Sequence, residues 1–260
     1  MSTVVVPAWT ARRALALVER NAMIYRRSLT PLLNALVEPV LYLLSIGVGV
    51  GLLVGTVPGV DVPYAVYVAP AILATTAMNT AFNQTSFGVF ARMRVEKTYE
   101  AILPTPLSVT DIAVGEVTSA MINALVTSIG FLTLMAVSGL VTSAWALLAL
   151  PASVLISYAF AAGGLAVTTY LRDYSDFQYI QLFMLPMFLF ATTFYPLSVY
   201  PEAVRPLIQA LPLYHGIELV REPMLGRLGW GLLIPVAYLL AFGSIAMAVA
   251  TRRMTRAMLR

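Results

Sequence analysis

The only histidine of the chain, His215, lies near two glutamates on a predicted short helix. Glu218 and Glu222 follow it after three and seven residues, so the three side chains share one helix face. An imidazole and two carboxylates are able to bind a metal ion or to carry out acid–base chemistry on a lipid. Metal sites in helical proteins draw on several helices, however, so this group is a weak metal signal. The alternative is a polar face, shared with Arg221, that meets water outside the membrane.

The rest of the sequence offers little material for an enzyme. It contains no cysteine, and the patterns G-x-x-x-x-G-K-[ST], H-E-x-x-H and G-x-S-x-G are missing. No glycine-rich loop precedes the only lysine, Lys97. We therefore predict that the chain is not an enzyme, holds no metal or cofactor of its own, cannot bind ATP through a P-loop and has no nucleic-acid partner.

Polar side chains recur along one predicted helix at helical spacing. Steps of three, four and three residues put them on one face: Thr76, Asn79, Asn83 and Ser86. Lipid cannot pair such groups, so they face either a translocation pathway or another helix, where each hydrogen bond contributes about 0.6 kcal/mol. The next predicted helix has a similar line: Glu116, Ser119, Asn123 and Thr127. Glu116 lies near the helix end, where a carboxylate can reach the interface or pair with an arginine.

The elements that carry these residues are predicted to lie in a membrane. The chain is 60% hydrophobic and 11% charged, with a mean hydropathy of +0.84, whereas a soluble domain needs more polar surface. Six windows approach the roughly 20 apolar residues that a spanning helix requires: 34–56, 64–90, 112–137, 144–170, 177–198 and 231–251. Period-two alternation is absent. We therefore predict an all-α membrane protein with six transmembrane helices in a single domain, 1–260.

The basic residues indicate which side of the membrane each loop occupies. Six crossings place both termini on one side, together with most of the 16 lysines and arginines. Only Arg205, Arg221 and Arg227 would lie on the opposite side. Because loops rich in positive charge stay in the cytoplasm, we expect both termini and the loop 91–111 there.

Two segments are predicted to be helical without crossing the membrane. Within residues 1–33, apolar side chains recur at steps of three and four between arginines, which favours an amphipathic helix in the interface. A basic tail attracted to anionic lipid is the alternative. Prolines divide residues 195–230 into pieces too short to span, which favours short re-entrant helices on the outer side.

Glycines at every fourth position of the first window form a ridge of small residues. Gly47, Gly51 and Gly55 allow another backbone to approach closely. We predict that this ridge packs against a helix of the same subunit or of a second one.

The charged loop after the second window is predicted to contain a short helix from Val95 to Leu103. Arg92 and Glu96 are spaced for an ion pair on one helix face, and Pro104 cannot continue the helix. An apolar ridge that includes Tyr99 has no evident core to fill within the chain. A solvated connector and a docking surface both fit this pattern.

Several stretches of this sequence resemble a known family. They are EPVLYLLSIGVGVG in the first window, RMRVEKTYEAILPTPLSVTDIAVGE after the second, FYPLSVYPEAVRPLIQALPLYHGIELVRE after the fifth, and the terminal RRMTRAMLR. From about Arg20 to Arg260 the chain resembles ABC-2 type membrane subunits of ATP-binding-cassette exporters. The resemblance is strongest to the lipooligosaccharide branch, typified by the nodulation-factor export permease.

The resemblance implies that the charged loop is a coupling helix, which docks into a groove on a separate P-loop ATPase. ATP and Mg would then bind to that partner, present in two copies. The loop residues implied in coupling are Arg92, Arg94, Glu96, Lys97, Tyr99, Glu100, Ile102 and Leu103. A second permease subunit, forming a homodimer, and membrane lipids are the other implied partners, with the second and fifth helices near the pathway.

The resemblance also implies outward export of an amphipathic substrate across a bacterial inner membrane, with glycolipid or lipooligosaccharide favoured. Drug or antibiotic efflux by the same fold is an alternative. A membrane-embedded lipid-modifying enzyme that uses His215 is a further one. An ion-coupled drug transporter is disfavoured, because no predicted helix carries a buried acid–base relay.

Overall fold

The computed structural model describes residues 30–57, 59–99 and 108–258. Within these ranges the regular structure is helical, apart from one bridge between Thr56 and Pro63. The predicted all-α class is therefore confirmed. The expected interfacial helix of residues 1–33 lies almost entirely outside the described residues.

Eight helices follow one another in the described residues, and five are long. The first, α1, joins an α-helix, Thr30–Tyr42, to π-helical turns, Leu43–Val50, and a last turn, Gly51–Val54. The second, α2, is Tyr64–Asn83, extended by π-helical turns Gln84–Gly88 and Ala91–Val95. Then come α3, Val109–Val137; α4, Ala149–Thr168 after a 3-10 turn Ala144–Leu148; α5, Phe177–Phe190; α6, Arg205–Gln209; α7, Pro212–Met224; and α8, Leu233–Met258 after a 3-10 turn Trp230–Leu232.

Five of these helices are long and apolar enough to cross a membrane, counted among the described residues. They cover Leu36–Val54, Tyr64–Val95, Val109–Val137, Ala144–Thr168 and Trp230–Arg256. The predicted window 177–198 contains α5, whose 14 residues extend about 21 Å. That is shorter than the roughly 30 Å hydrocarbon core of a bilayer. Six spanning helices therefore remain a prediction.

The α2 helix forms the centre of the bundle. Its residues Val68, Leu73 and Ala77 are fully buried, and neighbouring helices cover most of its circumference. A glycine lets α4 approach it closely: a Cβ at Gly164 would lie 2.9 Å from the carbonyl oxygen of Phe82. Small residues that bring two backbones together are the usual device for packing helices in lipid.

The carboxyl ends of α4 and α8 meet at one end of the bundle. The Arg253 guanidinium of α8 lies 3.5 Å from the ring centroid of Tyr170, just after α4. It also donates a hydrogen bond of 3.0 Å to the hydroxyl of Thr169. The two helices are close along their length, since a Cβ at Gly243 would clash with the ring of Tyr158.

The α5 helix runs between the two ends of α2. At its start, the Phe177 ring stacks on Phe87, near the end of α2, with centroids 3.9 Å apart. Just beyond its end, the carbonyl oxygen of Thr192 lies 3.5 Å from the Tyr67 hydroxyl, in the first turn of α2. Few α5 side chains are buried, and most of its large apolar residues are exposed.

The short helices α6 and α7 fall within the proline-rich segment 195–230. Pro206 and Pro212 occupy their first turns, where the missing N–H leaves no helical hydrogen bond unmade. The α7 helix enters the bundle: a Cβ at Gly216 would lie 3.2 Å from the Ile156 side chain of α4. An element that packs among helices in this way buries its backbone, as lipid requires.

The glycine ridge of α1 is shorter than predicted. A Cβ at Gly47 would lie 3.7 Å from Cβ of Ala65, and one at Gly51 would lie 3.8 Å from Cβ of Tyr64. Both glycines therefore face the start of α2. Gly55 instead follows the last helical residue with a φ of 71°, a conformation that favours glycine, so it ends the helix rather than packing one.

Candidate functional site

A polar cavity of about 440 Å³ lies among α1, α2, α3 and α5. Four helices therefore contribute to one space at the depth of the membrane. Most of its polar groups are amides and hydroxyls, accompanied by one carboxylate: Glu38, Thr75, Thr76, Asn79, Thr80, Asn83, Gln84, Asn123, Thr127 and Gln181. Apolar and aromatic side chains complete the wall.

Three residues of the predicted polar face of α2 line this cavity. They are Thr76, Asn79 and Asn83. The Thr76 hydroxyl donates to the carbonyl of Ile72 in its own helix. The side-chain amides of Asn79 and Asn83 are therefore the main groups of this face that could bind a ligand in the cavity. Ser86 does not line the cavity but is fully buried near α4, where Thr168 donates to its backbone carbonyl.

The polar line of α3 divides between two places. Asn123 and Thr127 line the cavity, and the Asn123 amide donates a 2.6 Å hydrogen bond to the side-chain oxygen of Gln84. Glu116 lies two turns earlier, outside the cavity. A line of side chains on a long helix passes several neighbours in turn, so its members do not share one site.

Sequence reasoning missed five polar residues of the cavity: Glu38, Thr75, Thr80, Gln84 and Gln181. Glu38 and Gln181 each stand alone in their own stretch, whereas Thr75, Thr80 and Gln84 lie beside members of the predicted face but off its spacing. The available signal was chemical, because a carboxylate such as Glu38 within an apolar window is costly unless it faces protein or water.

The opposite wall of the cavity is apolar. Tyr42 of α1 and Phe188 of α5 meet edge to face with ring centroids 5.6 Å apart. Met184 and Leu185 lie beside them. A wall of amides facing a wall of aromatic and aliphatic side chains suits a ligand that is itself half polar and half apolar.

A buried ion cluster joins the end of α2 to the start of α3. Arg92 donates to one oxygen of Glu116 at 2.6 Å, and the Tyr99 hydroxyl donates to the other at 2.9 Å. Arg92 also donates to the Tyr99 oxygen at 3.1 Å. The expectation that Glu116 can pair with an arginine is confirmed. Since the Glu116 side chain is 0% exposed, these bonds compensate a carboxylate that water cannot reach.

The structure corrects two predictions about the charged loop. Arg92 is paired with Glu116 rather than with Glu96, whose carboxylate accepts from Thr98. The predicted continuous helix from Val95 is interrupted, because Lys97 adopts a φ of 51° before helical structure resumes at Thr98. A left-handed residue cannot lie inside an α-helix.

The expectation that Tyr99 lacks a core within the chain was wrong. Only 1% of its surface is exposed, and burial, reinforced by the nearby Glu116 charge, raises the pKa of its hydroxyl. Its neighbours Arg94 and Lys97 are exposed. The other predicted coupling residues lie outside the described residues: Glu100, Ile102 and Leu103.

The predicted outer polar face is also corrected, because two of its members are buried. His215 is 7% exposed, and its ring stacks on Tyr238 of α8 with centroids 4.0 Å apart. Burial lowers the pKa of this imidazole. Glu218 and Glu222 remain partly exposed. The cause is the packing of α7 between α2, α4 and α8, which the helix periodicity does not reveal.

Arg221 of α7 is 3% exposed and binds backbone rather than water. It donates to the carbonyls of Thr192 at 2.8 Å and Tyr67 at 3.2 Å, and its guanidinium lies 3.9 Å from the Tyr67 ring centroid. The residues after α5 leave carbonyls without helical partners, and Arg221 supplies those hydrogen bonds. Within the described ranges, no group of three His, Cys, Asp or Glu side chains is placed to hold a metal ion.

Known proteins are similar in sequence to this chain over most of its length. The chain is 33% identical over 230 residues to Nodulation protein J of Sinorhizobium fredii (strain NBRC 101917 / NGR234), covering 88% of this chain and 87% of that one. It is 32% identical over 248 residues to Nodulation protein J of Rhizobium leguminosarum bv. viciae, covering 95% of each. With Nodulation protein J of Rhizobium meliloti (strain 1021), the identity is 30% over 214 residues, 82% of this chain and 81% of that one.

The family model described as ABC-2 type transporter matches residues 12–225. That range includes the polar cavity, the ion cluster and all of α7. Together with the apolar helices of the structure, the match shows that this multi-pass membrane protein belongs to the ABC-2 type transporter family.

Proposed function

We propose that the chain is the membrane-spanning permease subunit of an ATP-binding-cassette exporter that moves an amphipathic substrate outward. The observation that carries this proposal is the cavity of about 440 Å³, with an amide-rich wall and an aromatic wall, in a member of a transporter family. Polar side chains that line a cavity inside a transmembrane bundle have little structural use, because polar groups at that depth are costly.

The favoured substrate is a glycolipid or lipooligosaccharide. Sugar hydroxyls both donate and accept hydrogen bonds, as do the side chains of Asn79, Asn83 and Asn123 across the cavity. The acyl part of such a molecule fits the wall formed by Tyr42 and Phe188. The relatives named Nodulation protein J support the same class.

Drug or antibiotic efflux is the second candidate, and Glu38 favours it. Its carboxylate is the one acidic group on the cavity wall among the described residues. An amphipathic cation would be attracted to it. The lipid-modifying enzyme is disfavoured, because a catalytic imidazole must reach its substrate and His215 is enclosed by protein.

Six crossings with both termini in the cytoplasm are part of this proposal. The contacts of Phe177 with Phe87, and of Thr192 with Tyr67, support a fifth crossing by the short α5 segment. The carboxyl end of α8 then returns to the end where α4 finishes, as the Arg253 contacts require. That end carries a cluster of arginines, which favours the cytoplasm of a bacterial cell with its inner membrane: Arg92, Arg94, Arg172, Arg252, Arg253 and Arg256.

The energy would come from two copies of a separate P-loop ATPase that bind ATP and Mg. The connector between α2 and α3 would dock on each copy, with the exposed Arg94 and Lys97 at the contact. Tyr99 would hold this connector to α3 from inside through Glu116. A second copy of the permease would complete the pathway as a homodimer, covering exposed apolar side chains of α1 and, on α5, Leu182 and Leu189.

Reconstitution tests the proposal directly. The chain and its candidate ATPase are placed in vesicles, and ATP-dependent movement of a fluorescent lipooligosaccharide is compared with that of a fluorescent amphipathic cation. We expect movement of the lipooligosaccharide, reduced by an Asn79→Ala, Asn83→Ala double change and retained in the Ser86→Ala control. The permease without its partner should hydrolyse no ATP. Turnover by the pure chain, or transport indifferent to the double change, would refute the proposal.

A further inference from the structure

A second cavity lies on the opposite side of α5 from the first. It has a volume of about 750 Å³ and is bounded by α2, α4, α5 and α8. Its walls are mainly aromatic and aliphatic, including Phe160, Phe183 and Phe242. Met184 of α5 contacts both cavities. We call this second space the α5 groove; it is an apolar recess separated from the polar cavity by one helix.

The α5 groove covers the depth of one membrane leaflet. Its lower end is formed by Tyr170, Arg172 and Asp176, and its upper end by Ala210 and Tyr238. Along α4 it extends from Phe160 to Tyr170, ten residues or about 15 Å. This is half of the roughly 30 Å hydrocarbon core. The tip of the α6–α7 segment therefore closes the groove near the middle of the bilayer.

Aromatic residues mark where the groove meets the membrane surface. Tyr170, Tyr174 and Tyr179 are each more than half exposed at its lower end. Exposed Trp145 and Trp230 lie at the other end of the bundle. Such belts form at the two interfaces of a membrane. Trp145 and Tyr170 are about 40 Å apart along α4, which agrees with a bilayer including its headgroup regions.

Two arginines lie at the lower mouth of the groove. Arg172 lines it, and Arg253 lies beside it on the Tyr170 ring. Two acidic residues face the same region, Asp173 and Asp176. The Asp176 carboxylate accepts hydrogen bonds from the backbone N–H groups of Arg172 and Asp173, so its charge is engaged by the local turn. A phosphate at the interface would thus meet the arginine side chains.

The α5 helix needs packing that the chain itself does not supply on this side. Of its large side chains only Phe177, Ile180 and Met187 are buried, while Tyr179 and Phe183 stand exposed along the groove. The apolar side chains that line such a recess gain dispersion contacts from a molecule that fills it. In a bilayer the molecule at hand to fill it is an acyl chain.

We propose that the α5 groove is a binding site for one glycerophospholipid of the leaflet on the Arg172 side. One acyl chain fills the groove up to Tyr238, and the phosphate lies at Arg172 and Arg253. The bound lipid is a packing partner of α5 and not the transported molecule. The site goes beyond the proposed function; only its assignment to the cytoplasmic leaflet follows from the proposed orientation.

Mass spectrometry of the purified, detergent-solubilised protein tests the site. We expect phospholipid to remain with the wild-type chain after exhaustive washing with detergent. Val167→Trp, which fills the groove, should lose it. Val126→Trp, the same change on an exposed face of α3 outside the groove, should keep it. Equal phospholipid on both variants would overturn the proposal.

Two further variants keep the result decisive if Val167→Trp fails to fold. Arg172→Gln alters only an exposed side chain at the mouth and should release the phospholipid during washing; retention at the wild-type level overturns the site. The Asn79→Ala, Asn83→Ala double change should leave the phospholipid bound while transport falls, which separates this site from the proposed pathway. Loss of phospholipid from that variant would overturn the separation.

A second copy of the chain is the rival occupant of the groove. Because the chain contains no cysteine, Phe183→Cys alone provides a clean probe of this face. We expect no disulfide between two copies in membranes and phospholipid still present. Efficient cross-linking through this residue would show that the groove is a subunit interface, which would overturn the proposal.

Discussion

Glu116 illustrates how single residues decide the structure at the end of the bundle where α2 finishes. Its carboxylate is fully buried, and among the described residues it binds the Arg92 guanidinium and the Tyr99 hydroxyl. A buried charge of this kind depends on its partners, because removing one of them leaves an uncompensated ion. The cluster thus ties the connector after α2 to the first turns of α3, and Tyr99 belongs to this internal contact.

The first prediction at this scale concerns Arg92. Arg92→Ala should lower the free energy of unfolding by about 3 kcal/mol, because it removes the guanidinium that pairs with the buried Glu116 carboxylate. Thermal unfolding in detergent measures the change. Arg94→Ala, an exposed neighbour, should change stability by no more than about 0.5 kcal/mol. Similar losses of stability in the Arg92 and Arg94 variants would show that the Arg92–Glu116 pair contributes little.

The second concerns the pH dependence due to Glu218 on α7, outside the five candidate spans. Burial is the main cause that raises the pKa of this carboxyl above its ordinary value of 4.5. The folded protein therefore holds this proton more tightly than the unfolded chain, and stability falls as pH rises from that value through the raised pKa. Glu218→Gln should remove part of this fall.

Unfolding midpoints of wild type and Glu218→Gln, measured from about pH 4 to pH 8 in the same detergent and at the same salt concentration, report the effect. The advantage of the variant should grow with pH. Glu202→Gln, at an exposed position, is the control and should follow the wild-type curve. A difference that is constant over the range would contradict the assignment.

Helices meet in this bundle where small side chains allow it, as α2 and α4 show. Neighbouring glycines of α4 have opposite surroundings. A Cβ at Gly164 would lie 2.5 Å from Oγ1 of Thr85 and 2.9 Å from the Phe82 carbonyl oxygen. At Gly163 the nearest atom would be 3.6 Å away, in the Phe242 ring. Two adjacent positions with equal helix propensity thus differ only in tertiary contact.

This pair gives a matched prediction at the scale of the element. Gly163→Ala should leave stability unchanged or raise it by up to about 1 kcal/mol, since alanine is the better helix former. Gly164→Ala should instead lower it by about 1 to 3 kcal/mol, because the methyl group pushes the two backbones apart. Unfolding of both variants in one detergent makes the comparison. Equal stability changes in the two variants would contradict the close contact of α2 and α4 at Gly164.

The whole molecule places the polar cavity between helices that are far apart in sequence. Glu38, Asn79, Asn123 and Gln181 come from four helices. They meet only because α1, α3 and α5 all pack around α2. A cavity that serves as a pathway must also admit water and small solutes, which gives the proposal a direct chemical probe.

The prediction at this scale uses the absence of native cysteine. Asn79→Cys and Asn83→Cys should react with a small, charged thiol reagent, because the reactive thiolate forms only where water has access. Ser86→Cys lies on the same predicted helix face but is fully buried, so it should react far more slowly. Reaction at Asn79→Cys and Asn83→Cys as slow as at Ser86→Cys would mean that the cavity is closed to solvent.

Local patterns in the sequence predicted much of the fold. Apolar windows gave the five long helices, since each needs only its own composition to prefer lipid. Thr76, Asn79 and Asn83 were predicted to share a face and they do, because helical periodicity fixes faces within one element. The same periodicity predicted that Ser86 would join them, but Ser86 packs near α4 instead. A helix face several turns long contacts more than one neighbouring helix.

What the sequence determined by itself, then, is the class of protein, its helices and the family to which it belongs. All of these depend on composition and short motifs. Tertiary structure alone decided that Tyr99 is an internal contact and that Glu38 and Gln181 join the asparagines of α2. It also decided that Arg221 binds the backbone of Tyr67, 154 residues away. The physical reason is that a periodic pattern specifies which side of a helix is polar, whereas partners come from long-range packing.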